Sequence, residues 1–402
     1  MTMEKFRDDY SFSTEDRVSF MRELNDIRED SEWIPEIKGS DLQISSIQPI
    51  EVVPMSLKYN IPEEILSDTA ANEGTQLLLH NGNQTECIRT TAYAGLLQTA
   101  VGLSGPGIGR LWKRSSQIFC DSLNEFLRAQ NGQLKLYKSC GKISGVFSNN
   151  YNEMEIIDLI YTAEDAFSLD LGTPRFIGGH IEHALTSCTW DFPEVEDAMM
   201  EKYRNMIEQK THSTGVRYKP IVSMLTSNTG ASAATLVPKF VAPGKAAFHI
   251  GTGIRIRHDN RQIGTATGCG MDAFMRQASE MFNLFNESFE MLCKMADFKI
   301  SNPGNAFIAA CNWCFGERLP RKLASAALEE FNSMIGSRTS CTMYELFLSI
   351  SEINNQAEKA NLTFDRRVEI SECIARLFKH RNWGELDVAG VVAWNGTKGG
   401  LN

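Results

Sequence analysis

Arg255, Arg257, His258 and Arg261 gather three guanidiniums and an imidazole at the end of VRYKPIVSMLTSNTGASAATLVPKFVAPGKAAFHIGTGIRIRHDNRQI, residues 216–263. Side chains alternate across a strand, so Arg255 and Arg257 share one face while Ile254 and Ile256 take the other. A face of that kind can hold phosphates through charge-assisted and bidentate hydrogen bonds. The competing account is a solvated strand face whose arginines pair with local carboxylates such as Asp259.

Two further basic groups are candidates. Gly105-Pro-Gly-Ile-Gly-Arg110, followed by Lys113 and Arg114, sets a loop and three cations at a helix start, where free backbone N–H groups favour anions. The Lys-Ser/Thr ending of a Walker motif is absent, and an ordinary helix entry with a basic exposed face explains the pattern as well. Around the turn KSCGK, Lys138 and Lys142 are interleaved with Tyr137 and Tyr151, which suits base stacking beside a phosphate groove. Core positions for Tyr137 and Phe147 and a turn cap at Tyr151 are the alternative.

Metal and acid/base chemistry find less support. Cys311-Asn-Trp-Cys314 has no second C-x-x-C to complete a zinc site, and one helical turn apart its thiols pack as small hydrophobes. Alternation puts His180 and Glu182 on one face of a strand and His183 on the other, which splits any group they would form with Asp191. Neither GxSxG nor HExxH occurs. No cofactor, metal or catalytic residue is expected, and the ten cysteines read as free thiols.

The elements that must position these groups read as an α+β fold: antiparallel sheets with packed helices, followed by a mainly helical C-terminal part. A helical repeat at Val18, Met21, Leu24 and Ile27 marks an amphipathic segment. Leu42–Met55 reads as a strand closed by Pro54, and Gly107–Ala129 as one helix. Gln133–Tyr137 and Ile143–Phe147 form a hairpin through KSCGK, and several short strands follow between Arg175 and Ile263. Helices dominate after Gly270. The expected division is an acidic N-terminal appendage (1–50), an α+β core domain (51–268) and a helical C-terminal domain (269–402), with a frayed tail GTKGGLN.

Two of these stretches resemble a known family. KLYKSCGKISGVFSNNYNEMEIIDLI is similar to the "S-x-x-Y" segment of the phage- and plasmid-encoded domain of unknown function 932, with Ser148 and Tyr151 at its Ser and Tyr. LTSNTGASAATLVPKF and GTGIRIRHDN resemble that family's second segment through Asn228, Gly230, Arg255, Arg257 and His258. The resemblance spans roughly residues 86–268 and departs at Thr229, where an acidic residue often follows, and at His249-Ile-Gly, where Cys-x-Asn-Gly is common. It implies a mobile-element protein without an agreed activity. A looser similarity is to the single-strand annealing proteins of phages.

Composition bounds the rest. The chain has 402 residues, 42% of them hydrophobic and 22% charged, which is a globular profile. Residues 1–50 carry 12 acidic and 6 basic side chains, more than half of the net charge of −10, and leave a nearly balanced body. No apolar run reaches membrane-spanning length and no export signal opens the chain, so a cytoplasmic protein, a homo-oligomer without membrane contact, is expected. The leading expectation is a nucleic-acid-binding protein that anneals or protects single-stranded DNA along the basic sheet face. The second is a phage interaction protein that inhibits a host defence system, or serves as an assembly component, through acidic and helical surfaces. A nucleotide-handling enzyme at the Gly105–Arg114 loop is the third.

Overall fold

The computed structural model describes residues 5–72, 75–103, 107–210, 218–241, 247–250, 253–258, 270–315, 321–360, 362–380 and 382–395. Arg261, the loop 104–106, the boundary near Cys269 and the tail 396–402 lie outside the described residues. In chain order the longer strands are β1 (Ser11–Thr14), β2 (Ser31–Lys38), β3 (Leu42–Ser46), β4 (Leu77–Asn81), β5 (Gln84–Ile88) and β6 (Gln133–Ser139). They continue as β7 (Lys142–Ser148), β8 (Arg175–Glu182), β9 (Thr186–Asp191), β10 (Lys219–Thr226), β11 (Ala234–Val241) and β12 (Ile254–Ile256). One sheet has the order β1-β8-β9-β10-β11-β12 and is antiparallel throughout. The other runs β2-β6-β7-β5-β4-β3, with β5 and β7 parallel. The fold is α+β, and its C-terminal part is mainly helical.

Local chemistry sets much of this order. Between β6 and β7 both central turn residues have positive φ, Cys140 at 49° and Gly141 at 79°, the backbone twist that joins two antiparallel strands through two residues. In β11 the buried Ala234, Leu236, Pro238 and Phe240 alternate with the half-buried Thr235, Val237, Lys239 and Val241. Proline is tolerated in this interior strand because of where its nitrogen points. β12 pairs only with Ala234–Leu236, and Phe240 N donates to Phe248 O on the same side (2.8 Å), so the Pro238 nitrogen faces the gap between those two contacts.

The apolar face of the first sheet is closed by the C-terminal helices. Phe240 meets Phe285 at 5.7 Å and Phe289 at 5.1 Å between ring centroids, and Phe248 meets Phe347 at 5.2 Å edge-on. Each such ring contributes about 1.5–3 kcal/mol when fully buried. One continuous core therefore runs across the expected boundary near residue 269.

Three further expectations change. The N-terminal fifty residues are not an appendage: β1 and β2 each form the edge strand of a different sheet, pairing with β8 and β6, and helix Arg17–Glu29 buries Phe20, Met21 and Leu24 in the main core. Phe20 takes the inward position read for Val18, which is 63% exposed. Leu42–Met55 is a strand only to Ser46; Pro54 sits in the first turn of helix Val52–Tyr59, where its missing N–H costs nothing. Gly107–Ala129 divides at Ser115, whose hydroxyl accepts from Ile118 N (3.2 Å) and caps helix Ser116–Ala129.

Candidate functional site

The edge of the first sheet carries the arginines. β12 buries Ile254 and Ile256 and leaves Arg255 and Arg257 exposed, and among the described residues neither arginine has an ion-pair or hydrogen-bond partner. Gly253 precedes them without a side chain because a Cβ there would lie 2.3 Å from Leu236 O.

Arg255, Arg257 and His258 line a cavity of about 310 Å³, and its opposite wall comes from the hairpin end: Phe147, Ser148 and Tyr151. The two segments are tied by Asn152 N donating to His258 O (3.0 Å). Tyr151 lies nearly parallel to the His258 ring (5.2 Å, 4°) and stacks on Phe147 (4.0 Å) and Trp33 (5.7 Å). Gly230 completes the floor with φ +80°, and a Cβ there would meet Phe147 Cε1 at 2.7 Å. Ser148, Tyr151, Gly230, Arg255, Arg257 and His258 all line this one space, whereas Asn228 does not and instead donates to the Tyr137 hydroxyl (3.4 Å).

This floor holds polar atoms that the fold leaves unpaired. Tyr151 Oη and both ring nitrogens of His258 are buried without a hydrogen-bond partner among the described residues. His258 is only 6% exposed, and burial lowers its pKa to about 4, so the ring is neutral at pH 7. Burial likewise raises the Tyr151 phenol above its ordinary range. Unpaired buried groups of this kind cost about 1–3 kcal/mol each, which a bound partner would relieve.

The hairpin cations do not join this site. Lys142 is fully buried, its ammonium held by Asp8 (2.9 Å) and by Asp68. Arg89, also fully buried, donates to Ser144 Oγ (3.0 Å) and Arg7 O (3.0 Å) beside the same Asp8. Burial raises the Asp8 pKa, but Lys142 and Arg89 outweigh it and hold this carboxyl below its ordinary range. Lys138 pairs with Glu32 (3.5 Å) on the neighbouring strand β2 and with Glu86 (2.7 Å) on β5, beyond β7. Lys142 is therefore corrected from a nucleic-acid contact to an internal ion pair, and Lys138 to a partly exposed one. Arg110, Lys113 and Arg114 are exposed on helix Gly107–Arg114, without ion-pair partners among the described residues.

The remaining sequence candidates fall apart as groups. His180 Nε2 lies 2.8 Å from Glu182 Oε1, whereas His183 Nε2 donates to Arg7 O (3.0 Å) and Asp191 is taken by Arg175 (2.8 Å). Burial raises the pKa of the Cys311 and Cys314 thiols, and the nine described cysteines are free. Among the described residues no three His, Cys, Asp or Glu side chains group as metal ligands, and no helix is long and apolar enough to cross a membrane.

A second cavity, of about 260 Å³, lies on the same sheet face and did not emerge from the sequence. Arg255 stands directly opposite Thr235, so it shares its face of the sheet with Thr235, Val237 and Lys239. Those three, with Ser223 and Thr189 (Oγ to Oγ 3.1 Å), form the sheet wall of the cavity, and helices Met343–Lys359 and Phe364–His380 form the other. Lys239 has no ion-pair or hydrogen-bond partner among the described residues, and burial lowers its pKa to about 8. His249, 7% exposed, is set by Ser371 Oγ at 3.3 Å from its Nδ1, and burial followed by the nearby Lys239 charge lowers its pKa to about 3. The signal was the lysine in an otherwise hydroxyl and aliphatic row; what sequence could not supply was the helical wall more than a hundred residues away. Compared with known proteins, the chain matches no family model, no curated protein and no solved structure.

Proposed function

We propose that the chain binds single-stranded nucleic acid at the β12 edge, with Arg255 and Arg257 holding backbone phosphates and the Tyr151–His258 floor receiving a base. The observation that carries this reading is the pair of exposed arginines, unpaired among the described residues, on the rim of a cavity floored by stacked rings. Arginine offers planar donors to phosphate, and the unpaired Tyr151 and His258 atoms suit the polar edge of a base. Of the N-terminal carboxylates, Asp8 and Glu23 are engaged inside the fold by Lys142, Arg89 and Lys5, so these two are not displayed to a partner protein.

Anisotropy of a labelled oligodeoxynucleotide across a salt series tests the reading. Binding should weaken steeply with salt, and Arg255→Ala/Arg257→Ala should lower the slope by about one for each phosphate no longer held. No binding at low salt, or an unchanged slope in the double variant, overturns it.

A further inference from the structure

The cavity behind Lys239 is separate chemistry. We propose that it binds a small organic monoanion, a carboxylate on an uncharged and partly apolar body, with Lys239 as the counter-ion. Three observations select that class. Lys239 is a cation with no ion-pair or hydrogen-bond partner among the described residues, in a space large enough for a small molecule. Beside it His249 is buried, neutral and fixed through Nδ1 by Ser371, and the Thr189–Ser223 hydroxyl pair adds neutral hydrogen-bonding groups. Leu225 and Val237 give the rest of the sheet wall an apolar surface for the ligand body.

The rim sets the charge limit. Glu358 and Glu372 line the cavity and are exposed, and Arg367 is already close to Glu358 (3.5 Å). Carboxylates there repel a polyanion such as a nucleic-acid backbone, while a single anionic group seated at Lys239 keeps its neutral end towards them. This ligand site therefore stands independently of the arginine edge.

Calorimetric titration of the whole chain with benzoate and hexanoate, beside benzamide, hexanamide and inorganic phosphate, tests the assignment. The carboxylates should bind roughly tenfold or more tightly than their amides, the difference expected for one charge-assisted hydrogen bond. Lys239→Met should abolish that preference and leave oligonucleotide binding unchanged, while Arg255→Ala/Arg257→Ala should leave carboxylate binding unchanged. The acid-against-amide comparison uses the unaltered protein, so it reads out even where Lys239→Met fails to fold. Acid and amide binding alike, no carboxylate binding, tighter binding of phosphate, or a preference that survives in Lys239→Met each overturns the proposal.

Discussion

The β6–β7 hairpin and the β12 edge both carry cations on strands, and both looked like phosphate-binding surface. At the hairpin, Lys142 is neutralised by Asp8, 134 residues earlier, and by Asp68; at the edge, Arg255 and Arg257 stand exposed without a described partner. The difference lies in what the topology brings alongside. β7 is an interior strand with the N-terminal segment laid over it, so a lysine there is desolvated and must be paired to be tolerated. β12 is a three-residue edge strand, where arginines reach solvent at little cost. A cation on a strand thus reports a site only after the strand's place in the sheet is known.

The comparison is broken or sharpened most strongly by Lys142→Met. It would leave Asp8 and Asp68 without their cation and should cost about 3–5 kcal/mol in urea denaturation, against about 0.5 kcal/mol or less for Arg255→Ala. Equal effects would mean that the two regions do not differ as described.

Gly230→Ala comes next. With φ at +80° and Phe147 Cε1 2.7 Å from the new Cβ, it should cost about 1–3 kcal/mol and weaken oligonucleotide binding by shifting the ring on which Tyr151 stacks. Gly82→Ala in the β4–β5 turn, also at positive φ but with nothing within 4 Å, should cost less and leave binding unchanged. Equal stability losses in thermal melts would argue against a packed cavity floor.

Acid reads both cavities of the first sheet. His258 and His249 have pKa values lowered by burial to about 4 and about 3, from 6.5 when exposed. The unfolded chain therefore takes up more protons than the fold as pH drops below about 6.5, and stability falls by up to about 1.4 kcal/mol per pH unit for each ring. That contribution is intact above pH 6.5 and is lost progressively down to the folded pKa values. Denaturation midpoints between pH 7 and 4 should show it, and His258→Gln should flatten the slope. The hairpin ion pairs respond at lower pH, because Asp8 contributes stability above the ordinary carboxylate range and loses it as pH falls through its depressed folded value.

Much of the fold and the arginine edge was legible in the sequence. Alternation in 254–257 gave the orientation of Arg255 and Arg257, and the KSCGK turn gave the hairpin. The helical character after Gly270 was also legible, and in helix Met343–Lys359 Thr342 and Glu345 form a capping box. What sequence could not give was pairing at a distance. Asp8 looked like part of a solvated acidic run, and Lys239 looked like any strand lysine until two C-terminal helices closed over its face. Pro54 misled for a local reason, since a proline that ends a strand and one that opens a helix look alike until the following turn forms.

The finest discrimination between hairpin and edge comes from two tyrosines. Tyr137, in β6, is 5% exposed and its hydroxyl accepts from Asn228 Nδ2 (3.4 Å), whereas Tyr151 Oη, at the cavity floor, is buried with no described partner. Removing a paired hydroxyl forfeits about 1 kcal/mol, so Tyr137→Phe should be mildly destabilising. Removing an unpaired one relieves a desolvation penalty, so Tyr151→Phe should leave stability unchanged or raise it by about 1 kcal/mol. If a base edge is the missing partner, that same substitution weakens oligonucleotide binding several-fold while the salt slope set by the arginines persists. Stability and affinity then move in opposite directions at one atom, which a purely packing role for Tyr151 does not produce. Parallel losses of stability in Tyr137→Phe and Tyr151→Phe, with oligonucleotide binding untouched, would place both rings in the core and remove the cavity floor from the binding surface.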